Sequence, residues 1–395
     1  MATYKEQNKL NVPHLRFPEF HGEWEKCKLG DIAEFSTARV SSAKLDCKNY
    51  VSTENMLQDF QGVVEAKSVP NDTNVISFTC GDILISNIRP YLKKVWKATF
   101  DGGCSSDVFV LHATDAITSD YLHYAIANDR FINFVMSGAK GVKMPRGDKN
   151  QMRTYQLSLP SIQEQHKIAK LLTLLDERIA TQSKLIEDLK KLKAAISYKL
   201  FSDKNMFGCK KHLSEICSLK NGYAFKSSTY KSDGMYNIVT IANVTGTRYI
   251  SSVCNKITDV PSDIQLHQQL CFNDILISMT GNVGRVSLCD EGYYLQNQRV
   301  GLITVSDNFN KEFIFQVLST ERFENEMIAK AQGAAQMNIS KFDIESYIIP
   351  YTSNTQIIDN VATLLKLYDE KILVSEDLLS SFTKQKQSLL HLMFI

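Results

Sequence analysis

From Pro160 onward, apolar residues fall at Ile162, Ile168, Leu171, Leu172, Leu175, Ile179, Leu185, Ile186, Leu189, Leu192, Ile196 and Leu200, with Lys, Glu and Asp between them. Spacings of three and four kept up for roughly forty residues predict a long amphipathic helix with an apolar seam. The pattern returns from about Thr355 through Ile358, Val361, Leu365, Tyr368, Ile372, Leu379, Phe382 and Leu389. Ser161 and Glu164, just past Pro160, make a capping box that starts the first helix, and Pro350 stands in the place of Pro160 in the second. A forty-residue helix is about 60 Å long. A globule of ordinary size cannot cover such a rod, so the economical arrangement packs the two helices along their seams. The alternative lays each helix on its own domain.

The stretches before the helices alternate differently. Asp82–Ser86 and Ser106–Leu111 read as short strands with Gly102-Gly103 as a turn between them. Asp274–Ser278 and Arg299–Val305 repeat them, with Gly281 and Gly284 in the turn. Tyr121–Met136 and Lys311–Ala331 carry helical periodicity. These are mixed α and β regions of about 150 residues each. The whole chain is therefore a duplicated unit: Leu174-Leu175-Asp176-Glu177-Arg178-Ile179 returns as Leu367-Tyr368-Asp369-Glu370-Lys371-Ile372, and Leu200-Phe201 as Met393-Phe394. A repeat of about 190 residues is a tandem domain rather than a solenoid.

Composition narrows the class. Over 395 residues, 44% hydrophobic and 22% charged content describe a folded, water-soluble protein of about two domains. No run reaches the roughly 18 apolar residues of a membrane span. Met1 to Asn11 lacks the apolar core of a secretory signal. Nine cysteines without a Cys-x-x-Cys pair fit neither a zinc site nor a secreted disulfide framework, and point to reduced thiols in the cytoplasm.

Candidate chemistry is scarce. There is no phosphate-binding Gly-x-x-x-x-Gly-Lys-Ser/Thr loop, and Gly281-Asn282-Val283-Gly284-Arg285 reads as a tight turn. Asn87-Ile88-Arg89-Pro90-Tyr91 departs from the Asn-Pro-Pro-Tyr motif of amino-methyltransferases at Ile88 and Arg89, and no glycine-rich cofactor loop accompanies it. The eight histidines form no metal pair. The balance favours a protein that binds.

A net charge of +2 proves nothing alone, but the positive charge is clustered. Ser137–Arg153 holds Lys140, Lys143, Arg146, Lys149 and Arg153 against one acid, Asp148, on a glycine-rich loop suited to phosphate contacts. The equivalent stretch Ala331–Lys341 carries Gln332, Gln336, Asn338 and Lys341 instead. Amides pair with adenine edges and arginine or lysine with guanine, so the two loops would read different bases. Arg89, Lys93 and Lys94 form a second patch in the first unit, and Asn282, Arg285, Gln296, Gln298 and Arg299 in the second. Tyr223, Phe225 and Tyr230, beside Lys220 and Lys226, either line a groove or belong to the core.

The chain resembles the specificity subunit of type I restriction–modification systems. The resemblance rests on Val12-Pro13-His14-Leu15-Arg16-Phe17-Pro18-Glu19-Phe20 with Trp24, and on Leu159-Pro160-Ser161-Ile162-Gln163-Glu164-Gln165. The repeated helices with Leu-Asp-Glu-Arg-Ile at 175 to 179, and the terminal Leu-Met-Phe, complete it. The second copy departs at Pro350-Tyr351-Thr352-Ser353-Asn354-Thr355-Gln356, which lacks the Glu-Gln pair. The resemblance implies an α+β chain: two globular target recognition domains (1–159 and 205–349) alternating with two helices (160–204 and 350–395) that pack as an antiparallel coiled coil, with a pseudo-two-fold internal repeat. It implies a non-catalytic reader of a bipartite, asymmetric site in double-stranded DNA, with no cofactor of its own. Two modification subunits would carry S-adenosylmethionine and two restriction subunits ATP and Mg, in the cytoplasm and away from any membrane. The rival readings are a purely structural helical scaffold and a single-chain restriction–modification enzyme.

Overall fold

The computed structural model describes residues 11–141, 143–332 and 337–394. Two helices dominate it, Ile162–Ser202 and Thr355–Met393. The chain divides into two compact units, Met1–Thr181 with Leu379–Ile395, and Gln182–Leu378. Each division falls inside a long helix, so each unit joins one mixed α/β head to one part of each helix.

In the first unit a four-stranded antiparallel sheet runs in the order Ala33–Phe35, Val108–Ala113, Ile83–Ser86, Val95–Lys97. Its strand Ile83-Leu84-Ile85 is buried on both faces. Ile83 and Ile85 pack against Leu122, Phe131 and Ile168, whereas Leu84 joins Val51, Phe78 and Val110 beneath a second sheet. A strand buried on both sides needs no polar alternation, which explains the unbroken apolar run. The second unit repeats the arrangement. Ile275 and Ile277 face Phe313, Phe323 and Val361, while Leu276 faces Val239 and Leu302.

Each head carries a second sheet that no sequence pattern announces. In the first unit it runs Arg39–Ser41, Asn74–Phe78, Gly102–Cys104, Tyr50–Val51, the last pair parallel. Gly102-Gly103 is therefore strand, not turn. A Cβ at Gly103 would overlap Leu45 and Val75, so the glycines serve close approach of chains. Gly281 (φ +74°) and Gly284 (φ +82°) do form the expected turn. Each predicted helical stretch is two helices: Ser119–Ile126 and Asp129–Ser137 break at the N-cap Asn128, Lys311–Leu318 and Glu321–Ala331 at the N-cap Thr320.

A two-stranded antiparallel ribbon closes each head. Glu25–Lys28 pairs with Gln156–Leu159, and Cys209–His212 with Ile348–Tyr351. Each ribbon delivers the chain into a long helix, and the two helix starts are built differently. Ser161 Oγ accepts from Glu164 N (3.4 Å), but the Glu164 carboxylate leaves the expected capping box for Arg16, at 2.7 and 2.8 Å. The fully buried Gln165 accepts from Thr118 N (2.9 Å) and donates to the carbonyls of Ala116 (3.1 Å) and Pro160 (3.0 Å). In the second unit Asn354 is the cap, accepting from Gln356 N at 3.1 Å. Pro350 lies within a strand, opposite Lys210, and so does not replace Pro160. Ile357 and Ile358 stand where Glu164 and Gln165 stand, packed on the core.

Both expected helix arrangements hold at once. Ile168, Ala169 and Leu172 enter the first head's core, together with Met393 and Phe394. In the same unit Lys386 pairs with Asp176 (2.6 Å) and the Arg178 guanidinium lies over Phe382. In the second unit Lys193 meets Asp369 (2.5 Å) and Gln182 donates to Ser375 O (3.0 Å). Within each unit, higher positions of one helix meet lower positions of the other, so the segments are antiparallel.

Candidate nucleic-acid interface

After Ser86 the first head's central strand leaves the sheet through Asn87-Ile88-Arg89-Pro90. Pro90 opens a short 3-10 turn flanked by Arg89 (φ +49°) and Lys93 (φ +54°), both left-handed. A left-handed conformation costs a side-chain-bearing residue about 1 kcal/mol or more, so neighbours must hold it. They do. Arg89 N donates to Pro145 O (2.8 Å), Gly147 N to Asn87 O (2.8 Å) and Phe60 N to Lys93 O (2.9 Å). Ile88 bridges Arg146, which itself bridges Lys140. The two basic patches, distant in sequence, thus become one hydrogen-bonded surface.

The fold has already used some of this charge. Lys93 pairs with Asp129 at 2.7 Å, and Lys94 donates to Thr53 O at 2.5 Å while burial lowers its pKa. Lys149 lies 4.8 Å from the Phe35 ring centre and 5.8 Å from that of Phe109; burial, then Arg153, lowers its pKa. All three are bonded within the head. Lys140 sits on the exposed side, 3.3 Å from Asp148, whose carboxylate caps the helix Lys149–Arg153. Arg146, also exposed, is steadied by Asp107 at 3.3 Å. Arg89 and Lys143 are exposed and have no carboxylate partner among the described residues.

The second head builds the same surface from other atoms. Thr280 bridges Asn338, Gly281 N donates to Met337 O (3.1 Å) and Ile339 N to Met279 O (3.0 Å). Thr280 Oγ1 donates to Asn338 Oδ1 (3.0 Å) and accepts from Arg299 Nη1 (3.4 Å), which draws the Asn297–Val300 corner into the patch. Asn282, Gln298 and Arg299 are exposed. Arg285 is partly consumed by Glu324 (3.2 Å), and Lys341 lies 3.5 Å from Glu345. Gln336 lies outside the described residues.

Gln296 does not belong to the surface. It is fully buried, and its Nε2 donates to Lys220 O (2.9 Å) and Val300 O (2.8 Å). Phe225 and Tyr230 pack on Ile238, Ile257 and Leu295, so they are core. Tyr223 stays near the patch, because Gln298 N donates to its carbonyl (2.9 Å) and its hydroxyl to Asp263 (2.8 Å). One exposed side chain beside the patch was missed. Phe342 follows Lys341 and is 77% exposed. Its signal was readable: Ser340 and Asp343 form a capping box that turns Ile344 inward and leaves Phe342 outside.

No cluster of His, Cys, Asp and Glu that could hold a metal ion occurs among the described residues. No described helix is long and apolar enough to cross a membrane.

The profile of the type I restriction modification DNA specificity domain matches the chain twice, at residues 21–191 and 209–377. The MjaVIII type I restriction enzyme specificity subunit of Methanocaldococcus jannaschii is 26% identical over 85% of the chain and 83% of its own length. The putative MjaX specificity subunit of the same organism is 24% identical over 100% of the chain and 97% of its own length. Among solved structures, the type I restriction–modification S subunit of M. genitalium superposes with a TM-score of 0.64 at 17% identity, covering 97% of this chain and 99% of that one.

Proposed function

The chain belongs to the type I restriction-modification DNA specificity family, and from that premise we propose that it is the non-catalytic subunit that reads a bipartite, asymmetric site in double-stranded DNA. Each head, 1–159 and 205–349, reads one half-site. The carrying observation is the duplicated bridge: Ile88 with Arg146, and Thr280 with Asn338. One backbone frame presents guanidinium and ammonium groups in the first head and mainly amides in the second. Arg89 and Arg146 suit guanine O6 and N7, and Asn282, Gln298 and Asn338 suit adenine N6 and N7. Lys140, Lys143 and Lys341 supply phosphate contacts, which fix register and carry no sequence information.

Chemistry belongs to partners. Two modification subunits bring S-adenosylmethionine and methylate adenine; two restriction subunits bring ATP, Mg and cleavage. The paired helix segments set the separation of the half-sites, and separation by about one helical turn presents both on one face of the duplex. The assembly works in the cytoplasm.

Replacing residues 22–158 with the head of another family member tests the reading. Mapping of methylated adenines should show one half of the site changed and the other kept. A change in both halves, or in neither, refutes it.

A further inference from the structure

Among the described residues, the second head holds out one ring that its own core does not use. Phe342 is 77% exposed and makes no ring contact, whereas Phe272, the next most exposed phenylalanine at 47%, stacks on Tyr249. Phe342 is nonetheless on a fixed mount. It lies in the helix Lys341–Glu345, whose Ile344 is fully buried and whose cap Ser340 is bonded to Asp343. Lys330 Nζ donates to Asp343 O (2.9 Å), and Glu345 accepts from Leu219 N on the head's sheet (3.0 Å). A ring held in water by a rigid element loses little freedom when a ligand covers it.

The repeat shows what is particular about this position. Ile339 N donates to Met279 O as Gly147 N donates to Asn87 O, so the two loops share one register. In that register Asn338 matches Arg146 and Phe342 matches Asn150, which is also exposed. Two positions therefore change together. The first head carries a guanidinium and then an amide, the second an amide and then a ring. Base pairs differ in the same two respects. On the major-groove edge of an A·T pair, adenine N6 and N7 stand beside the thymine C5-methyl group. A G·C pair offers guanine O6 and N7 beside the cytosine N4–H, and has no methyl. An amide with an apolar neighbour matches the first edge, and a guanidinium with a polar neighbour matches the second.

We propose that Phe342 is a specificity-determining residue of the second head, and that its ring covers the C5-methyl of a thymine in the second half-site. The inference rests on the functional reading above, which supplies the duplex. It adds an apolar contact to a surface described so far by amides and charge, and it extends that surface from the Thr280–Asn338 bridge onto the next helix.

The test uses the full chain in complex with its modification subunits, and a duplex bearing the site mapped from methylated adenines. Each thymine is replaced in turn by deoxyuridine, which removes the methyl group alone. Competition binding by the unaltered complex should show a loss of about fourfold at one thymine of the second half-site, the worth of one methyl group taken out of water. Phe342→Ala should bind the thymine duplex at least that much more weakly and cease to distinguish thymine from uracil there. Phe342→Asn, which copies the first head, should behave alike, and Phe342→Leu should keep part of the distinction. The responses of the first half-site should stay as they were. No responding thymine in the unaltered complex, or one that responds equally in Phe342→Ala, overturns the inference alone. So does a variant that sheds modification subunits while keeping the thymine–uracil ratio, because the ring then serves a protein. An unaltered complex with no preference for the mapped site over random duplex overturns the functional reading itself.

Discussion

Arg146 and Asn338 occupy the same position of the same backbone bridge, yet the two heads hold them by different means. Arg146 is steadied by an ion pair with Asp107 that leaves most of its guanidinium in solvent. Asn338 has already given its carbonyl oxygen to Thr280, which also receives Arg299. The contrast deepens toward the helices. At equivalent positions the first unit sets Asp176 between Tyr124 (2.8 Å) and Lys386, while the second sets Asp369 among Lys193, Arg248 and Gln316. Arg248 is 4% exposed and its guanidinium is held by Glu312 at 2.7 Å. The second unit thus gathers buried charge around Asp369, whereas the first exposes basic groups along its bridge. A repeat keeps its backbone and moves its charges to suit separate tasks.

The largest expected effect breaks that interior contrast. Asp369→Ala strips a buried arginine and a half-buried lysine of a shared partner and should cost about 3 kcal/mol. Asp176→Ala removes a more exposed partner and should cost about 1 kcal/mol. Both tryptophans, Trp24 and Trp96, lie in the first unit. Urea unfolding should therefore show the Asp369 variant shifting the circular dichroism transition while tryptophan fluorescence holds its midpoint. A fluorescence shift equal to the dichroism shift contradicts separate interiors.

Acid should separate the units next. Burial, with Lys386 nearby, pushes the His123 imidazole from 6.5 down to about 4. A base whose folded pKa is depressed stabilises the fold above its unfolded pKa, and that contribution drains as pH falls from 6.5 to about 4. In the second unit, burial pushes Glu312 up but its bonds to Arg248 and Gln316 prevail, and its pKa falls below 4.5. Its contribution is lost only as pH falls below that range. The first unit should lose on the order of 2 kcal/mol between pH 6.5 and 4 while the second holds. His123→Gln, followed by tryptophan fluorescence, should flatten this window; an unchanged slope assigns it to other groups.

At the reading face, Arg146→Ala should cost about 1–3 kcal/mol and relax selectivity at one position of one half-site. Lys143→Ala, the smallest effect, should weaken binding to all sequences alike and reduce the slope of log affinity against log salt by about 0.9. Equal losses on all sequences for both would erase the division between base and phosphate contacts.

Much of this architecture was legible because periodicity reports burial directly. The long helices and the strands Ile83–Ser86 and Ile275–Ser278 follow from it. The second sheets did not, because their strands are two to five residues long and partly exposed, too short for alternation to show. The basic and amide clusters were visible as composition, but the bridges that join them were not visible as geometry. No local pattern announces that Ile88 pairs with Arg146, or that Lys149 turns onto Phe35. Gln296 misled for the same reason, since an amide buried between two carbonyls looks in sequence like any surface amide.

Met393 and Phe394, packed with Tyr121 in the first unit's core, have a consequence for biogenesis. Chains fold as they emerge, at about 5–20 residues per second. The second unit is complete once Leu378 is made, but the first waits for Leu379–Phe394, long after its own head has left the ribosome. The first head spends the interval without the cover that Met393 and Phe394 give its core. A ribosome stalled before Leu379 would release a chain whose second unit is whole and whose first is open to proteases.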